Sequence, residues 1–170
     1  MNNTNDSGSA AFPETEFTCY LADESATLAL GLNVSALLQP GFIILLEGNL
    51  GTGKTTLARG ILRGLGYLGK VKSPTYNLVE PYKFSRLYFY HFDFYRFDNP
   101  IEWEEAGFRE YFNPDSVCLV EWPQNAAGLL PAGDLIFFLN ISGGGREVKI
   151  HAATEEGKQC LKELRNSRNF

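Results

Sequence analysis

Lys54 and Thr55 follow three glycines, Gly48, Gly51 and Gly53, and two acids, Asp93 and Glu121, close apolar runs further along the chain. An amine, a hydroxyl and carboxylates are what phosphate chemistry needs once main-chain amides form a cradle. The cradle is Gly48-Asn49-Leu50-Gly51-Thr52-Gly53-Lys54-Thr55-Thr56, which matches Gly-x-x-x-x-Gly-Lys-Thr. An apolar run precedes it, and Leu57-Ala58-Arg59-Gly60-Ile61-Leu62 continues it with helical spacing. Strand, glycine loop and helix in that order separate a phosphate-binding P-loop from a chance match. The glycines reach torsions closed to other residues, so successive N–H groups converge on an anion. The helix start adds about half a positive charge. Lys54 is placed to reach the β- and γ-phosphates, and the Thr55 hydroxyl to hold Mg²⁺. A glycine-rich turn with a solvated lysine is the competing reading, and the flanking elements disfavour it. The expectation is a chain that binds a nucleoside triphosphate.

Hydrolysis needs more: a carboxylate for the metal and a group that orients the attacking water. Glu121 ends Val117-Cys118-Leu119-Val120, a Walker-B-like context, and Asp93 lies in His91-Phe92-Asp93-Phe94-Tyr95-Arg96. Either acid alone also reads as a strand-end carboxylate in a surface salt bridge. Ser73-Pro74-Thr75 lies on the loop leaving the P-loop helix, where switch proteins keep a threonine that senses the γ-phosphate. An ordinary turn before a strand fits the same residues. His91 reads as a core histidine or as a group near the phosphates, and Trp122 as packing more than as a base platform. Arg146, after Gly143-Gly144-Gly145, is a hairpin-tip arginine in solvent or one that reaches the nucleotide. Arg86 and Arg96 are open in the same way. The cluster Arg59, Arg63, Lys70 and Lys72 is a solvated face or a contact for a partner or RNA.

The elements that must position these groups fit one domain of 170 residues. Residues 1–16 read as a mobile tail, 17–166 as the P-loop domain and 167–170 as a C-terminal tail. Strands are expected at 17–20, 42–47, 76–83, 87–92, 116–121, 135–141 and 147–152. Helices are expected at 23–38, 54–65, 100–111 (a polar stretch) and 154–165. Two strands in sequence at the middle of the chain break strict alternation. The expected fold is therefore α/β: a single P-loop NTPase-like domain with a mixed central sheet and helices on both faces. No run reaches the 18 apolar residues of a membrane span, and no signal pattern opens the chain. Cys19, Cys118 and Cys160 lack metal spacing and cannot all pair, which fits a reducing, cytoplasmic compartment. The net charge of −5 argues against nucleic-acid binding by the whole surface, DNA included.

Taken together, Gly48-x-Leu50-Gly51-x-Gly53-Lys54-Thr55-Thr56, Val71-x-Ser73-Pro74-Thr75-Tyr76, Tyr90-His91-Phe92-Asp93-x-Tyr95-Arg96 and Leu119-Val120-Glu121-Trp122-Pro123 closely resemble the TsaE family. Four motifs in order, between Asp23 and Ile150, carry the resemblance. It implies an ATPase required for threonylcarbamoyladenosine modification of tRNA, with ATP and Mg²⁺ as cofactors. It implies work on a TsaB–TsaD heterodimer, with tRNA met indirectly through that complex; neither a membrane nor DNA is an expected partner. By resemblance, Lys54 and the loop backbone hold phosphates, Thr55 and Glu121 ligate Mg²⁺, and Asp93 is the acid of hydrolysis. Thr75 matches a switch-like threonine. The helix start with Glu24 and Thr27 matches a segment near the adenine, and Arg146 a late arginine near the nucleotide. Asn49 and Thr52 stand where Asp and Ala are common. A small-molecule kinase on the same core would need an acceptor lid, and no such insertion is present. A GTPase-like switch would carry Asn-Lys-x-Asp, which does not occur. A nucleotide-dependent scaffold with incidental hydrolysis is the remaining alternative.

Overall fold

In a computed structural model, residues 13–167 are described. The expected tails therefore fall mostly outside the described residues, at 1–12 and 168–170. At their inner edges, β1 already begins at Glu16 and α4 runs through Ser167.

The strands are β1 Glu16–Leu21, β2 Ile43–Glu47, β3 Val79–Lys83, β4 Tyr88–Asp93, β5 Ser116–Glu121, β6 Leu135–Ser142 and β7 Gly145–Ala152. They form one sheet in the order β1-β7-β6-β2-β5-β4-β3. The inner four, β6, β2, β5 and β4, are parallel, and β7, β1 and β3 add antiparallel edges. All six residues of β5 are buried, as a central parallel strand covered on both faces requires.

The helices are α1 Glu24–Ser35, α2 Lys54–Gly64, α3 Pro100–Glu105 and α4 Glu155–Ser167. Asp23 caps α1 by accepting from the Ala26 N–H at 2.8 Å. Side chains alternate across a strand, so the sheet has two distinct cores. Ile44, Leu46, Phe89, Val117, Leu119 and Phe137 pack with α1, α2 and α4 on one face. Phe92, Cys118 and Val120 pack on the other with Phe94, Trp103 and Phe108. That second face is covered by α3 and by the short 3₁₀ turns Phe108–Tyr111 and Pro123–Ala126.

Two details depart from the sequence reading. The stretch 100–111 is not one polar helix: Gly107 turns left-handed at φ 65°, and Trp103 and Phe108 are buried. The second concerns 76–83, whose first residues are turn rather than strand. The Leu78 N–H donates to the Pro74 carbonyl at 2.8 Å, Leu78 takes φ 62°, and β3 starts at Val79.

Helices α1 and α2 touch backbone to backbone. A Cβ on Gly60 would lie 2.5 Å from the Leu28 carbonyl oxygen, and one on Gly31 would lie 2.7 Å from the Ile61 nitrogen. Only glycine permits that approach.

Candidate functional site

The parallel centre of the sheet ends in a cavity of ≈ 450 Å³, at the carboxyl ends of the strands where open α/β sheets take their ligands. Because β2 lies in the middle of the sheet and runs into α2, the loop between them must turn sharply. Gly48 at φ 154°, Gly51 at 77° and Gly53 at 102° make that turn. Gly48 is also a close approach: a Cβ there would sit 2.6 Å from both the Leu139 carbonyl oxygen and Thr52 Oγ1.

Lys54, the first residue of α2, is buried, and its Nζ donates to the carbonyls of Gly48 at 2.5 Å and Asn49 at 2.8 Å. The same amine lies 4.4 Å from the Trp122 ring centroid. Burial pushes the Lys54 amine below its usual 10.5, while the nearby charges of Glu121 and Asp93 act the other way. Desolvation disfavours the charged form, so the amine has most to gain from an added anion.

One residue further into α2, Thr55 Oγ1 donates to Glu121, at 3.0 Å from Oε1 and 3.2 Å from Oε2. Glu121 ends β5, and the parallel register places it directly beside Asp93 at the end of β4. Both point to the face occupied by α2, as 93 and 121 share parity with Phe89 and Leu119. His91, two residues before Asp93 on that face, completes the group with its Nε2 2.8 Å from Glu121 Oε1.

Asp93 is gripped from its other side. Its Oδ1 accepts from the Tyr95 N–H at 2.9 Å, and its Oδ2 accepts from the Ser73 hydroxyl and, at 3.5 Å, from Thr75 Oγ1. The loop after α2 therefore reports directly to this carboxylate.

Leu50, Gly51, Gly53, Lys54, Thr55, Thr56, Glu24, Thr27, Thr75, Asp93, Glu121 and Arg146 are all brought to the cavity wall. Gly48, Asn49 and Thr52 are not on it. Gly48 and Asn49 face a neighbouring depression beside Leu139, and Thr52 is buried with its hydroxyl donated to the Asn49 carbonyl at 2.9 Å. Glu24 is exposed and pairs with Arg59 at 3.2 Å, so Arg59 is tied to a local carboxylate. Arg63 is tied too, donating to the carbonyls of Tyr67 at 2.8 Å and Gly69 at 2.7 Å.

Arg146 is not a free hairpin tip. β7 begins one residue earlier, at Gly145, and the guanidinium braces the P-loop. Nε donates to the Thr52 carbonyl at 3.0 Å, Nη2 to Gly51 at 3.0 Å and Nη1 to Gly145 at 2.9 Å.

Sequence reasoning did not single out Ser73 as a partner of Asp93, and it left His91 and Trp122 undecided. His91 was findable, because two parallel strands ending in acids put residue 91 on the same face as both. Trp122 was not: its left-handed φ of 57° turns the chain after β5 and sets the ring against Lys54 and, at 5.0 Å, Tyr95.

This sheet, helix and glycine loop define a class, the P-loop NTPase-like α/β domains. The family model for "Threonylcarbamoyl adenosine biosynthesis protein TsaE" matches residues 21–152. The tRNA threonylcarbamoyladenosine biosynthesis protein TsaE of Haemophilus influenzae is 40% identical over 154 residues, which is 88% of this chain and 98% of that one. The protein of the same name from Bacillus subtilis is 35% identical over 145 residues, 85% of this chain and 90% of its own length. The crystal structure of YdiB from Bacillus subtilis superposes with a TM-score of 0.78 at 29% identity, covering 91% of this chain and 97% of that one. The chain belongs to the TsaE family of tRNA threonylcarbamoyladenosine biosynthesis.

Proposed function

We propose that this chain is a Mg²⁺-dependent ATPase that acts on a TsaB–TsaD heterodimer and lets that pair turn over during tRNA modification. The observation that carries the reading is the pairing of Thr55 with Glu121, beside Asp93, at the mouth of a glycine loop.

The residues fit the groups the reading requires. Thr55 commits its proton to Glu121, which leaves hydroxyl lone pairs for a cation. A hydroxyl with a carboxylate is a hard oxygen donor set of the kind Mg²⁺ takes. Thr55 and Glu121 would hold the metal, which when bound supplies neutralisation of charge on the β- and γ-oxygens. Gly48, Gly51 and Gly53 turn the loop so that its amide N–H groups donate to phosphate oxygens, and Lys54 exchanges its carbonyl partners for them. Asp93, fixed through both oxygens, orients the attacking water. Thr75, on the same carboxylate oxygen as Ser73, is the sensor of the γ-phosphate. Thr27 and Glu24 form the wall on the nucleoside side.

The chain's own arginine is occupied. Arg146 is the sole arginine on the cavity wall among the described residues, and Nε, Nη1 and Nη2 each bond a backbone carbonyl. A transition-state arginine is worth about 10³–10⁵ in rate, so hydrolysis by the chain alone is slow and a partner raises it. A cytoplasmic setting suits a tRNA-modifying protein, and the free Cys19, Cys118 and Cys160 suit a reducing compartment. No helix among the described residues is long and apolar enough to cross a membrane.

The test is phosphate release from purified chain with ATP and Mg²⁺, with and without TsaB–TsaD. Slow release that the heterodimer accelerates, and that Asp93→Ala or Glu121→Ala abolishes, is the expected result. Transfer of the γ-phosphate to a small molecule, or full stimulated activity in both variants, would overturn it.

A further inference from the structure

Beside the nucleotide cavity lies a second groove of ≈ 400 Å³, whose walls include Tyr67, Lys70, Lys72, Thr75, Tyr76 and Glu80. The two share Ser73 and Thr75. Its cations are uncommitted. Arg59, Arg109, Lys149 and Lys158 are in ion pairs, whereas Lys70, Lys72 and the adjoining Arg96 are in none among the described residues. Arg96 lies 4.8 Å over the Tyr76 ring. Tyr76 is 83% exposed, and Leu68, on the same connection, 84%. In a chain of net charge −5, this places three cations free of ion pairs on or beside a groove whose wall carries an exposed tyrosine.

We propose that this surface, Leu68 with Lys70, Lys72, Tyr76 and Arg96, is where the chain docks on an acidic protein surface; the proposal rests on the partner-stimulated reading above. Tyrosine and arginine are the side chains that anchor protein interfaces, and the uncommitted cations supply complementarity to an anionic partner. RNA fits less well. Affinity for a phosphate backbone grows with the number of neutralised phosphates, whereas here there are three cations, the groove includes the Glu80 carboxylate, and Leu68 gains nothing from a phosphate. Docking here also reaches the chemistry. Tyr76 is the next residue after Thr75, and Ser73 and Thr75 both donate to Asp93 Oδ2. A partner that grips Tyr76 sets the position of that loop and so of the carboxylate.

Full-length Lys70→Glu/Lys72→Glu and Tyr76→Ser variants test this, with three readouts: affinity for the purified TsaB–TsaD heterodimer, affinity for an ATP analogue, and affinity for bare tRNA. At least tenfold weaker heterodimer binding, at unchanged analogue affinity and unchanged melting midpoint, is expected for each. Leu68→Ser replaces any variant that melts early. Wild-type-like heterodimer binding by the variants overturns the docking surface while leaving the ATPase reading intact. Loss confined to bare tRNA assigns the patch to RNA and overturns it as well. Failure of the unaltered chain to bind the heterodimer at all removes the partner reading, and this surface with it.

Discussion

His91 Nε2 lies 2.8 Å from Glu121 Oε1, and both side chains are buried at the ends of neighbouring parallel strands. Thr55 donates to the same oxygen from α2. The carboxylate is thus oriented from two sides, by a strand and by the P-loop helix. His91 Nδ1 has no hydrogen-bond partner, so the ring's one polar tie is Glu121.

Removing that tie should be felt in stability. His91→Phe leaves a buried carboxylate short of a donor and should cost about 1–3 kcal/mol. His91→Gln, whose amide nitrogen reaches the position of Nε2, should recover much of it. Urea unfolding midpoints of the two variants check this, and equal stability of His91→Phe and the unaltered chain would remove His91 from the role.

On the proposed function, Lys54→Ala removes a charge-assisted phosphate contact of about 1.5–3 kcal/mol. The expected outcome is an ATP-analogue affinity lower by about one to two orders of magnitude, read by titration. The fold should persist, since β2 and α2 are held by their apolar faces.

Gly60→Ala tests the helix crossing through the sign of its effect. In an open helix that change stabilises by about 1 kcal/mol. Here the added methyl meets the Leu28 carbonyl, and overpacking of this kind costs about 1–3 kcal/mol. A lowered thermal midpoint is expected, and a raised one would show that the helices separate freely.

Burial pushes the thiols of Cys118 and Cys160 up to about 12 and that of Cys19 to about 11, from 9.0. The folded chain therefore keeps protons that the unfolded chain releases above pH 9. By linkage, stability is full below that point and falls as pH climbs from about 9 toward 12. Unfolding midpoints across this range should decline, and Cys118→Ala should flatten the slope. Alkylation at pH 8 should leave Cys118 and Cys160 unmodified until the chain is denatured.

What was legible in the sequence was local. Strand, glycine loop and helix from Ile43 to Gly64 are contiguous, and the run into Glu121 carries its own burial pattern, so both could be read from neighbours in the chain. The family motifs extended this to Asp93 and Thr75. What was not legible depends on distant partners. Trp103 and Phe108 sit among charged residues, yet they cover Phe92 and Phe94 on the sheet's second face. The turn at Leu78 appears only once the loop closes on Asp93, whose N–H donates to the Leu78 carbonyl at 3.0 Å. The contacts of Arg146 were open between solvent and nucleotide because two of its three acceptors lie more than 90 residues away, in the P-loop.

The glycine contact between α1 and α2 has a mechanical result for the nucleotide. Thr27 belongs to one helix and Lys54 to the other, so the two walls proposed to hold nucleoside and phosphates are welded into a single anvil. The wall formed by Ser73 and Thr75 carries no such weld, and that is the side a neighbour can push.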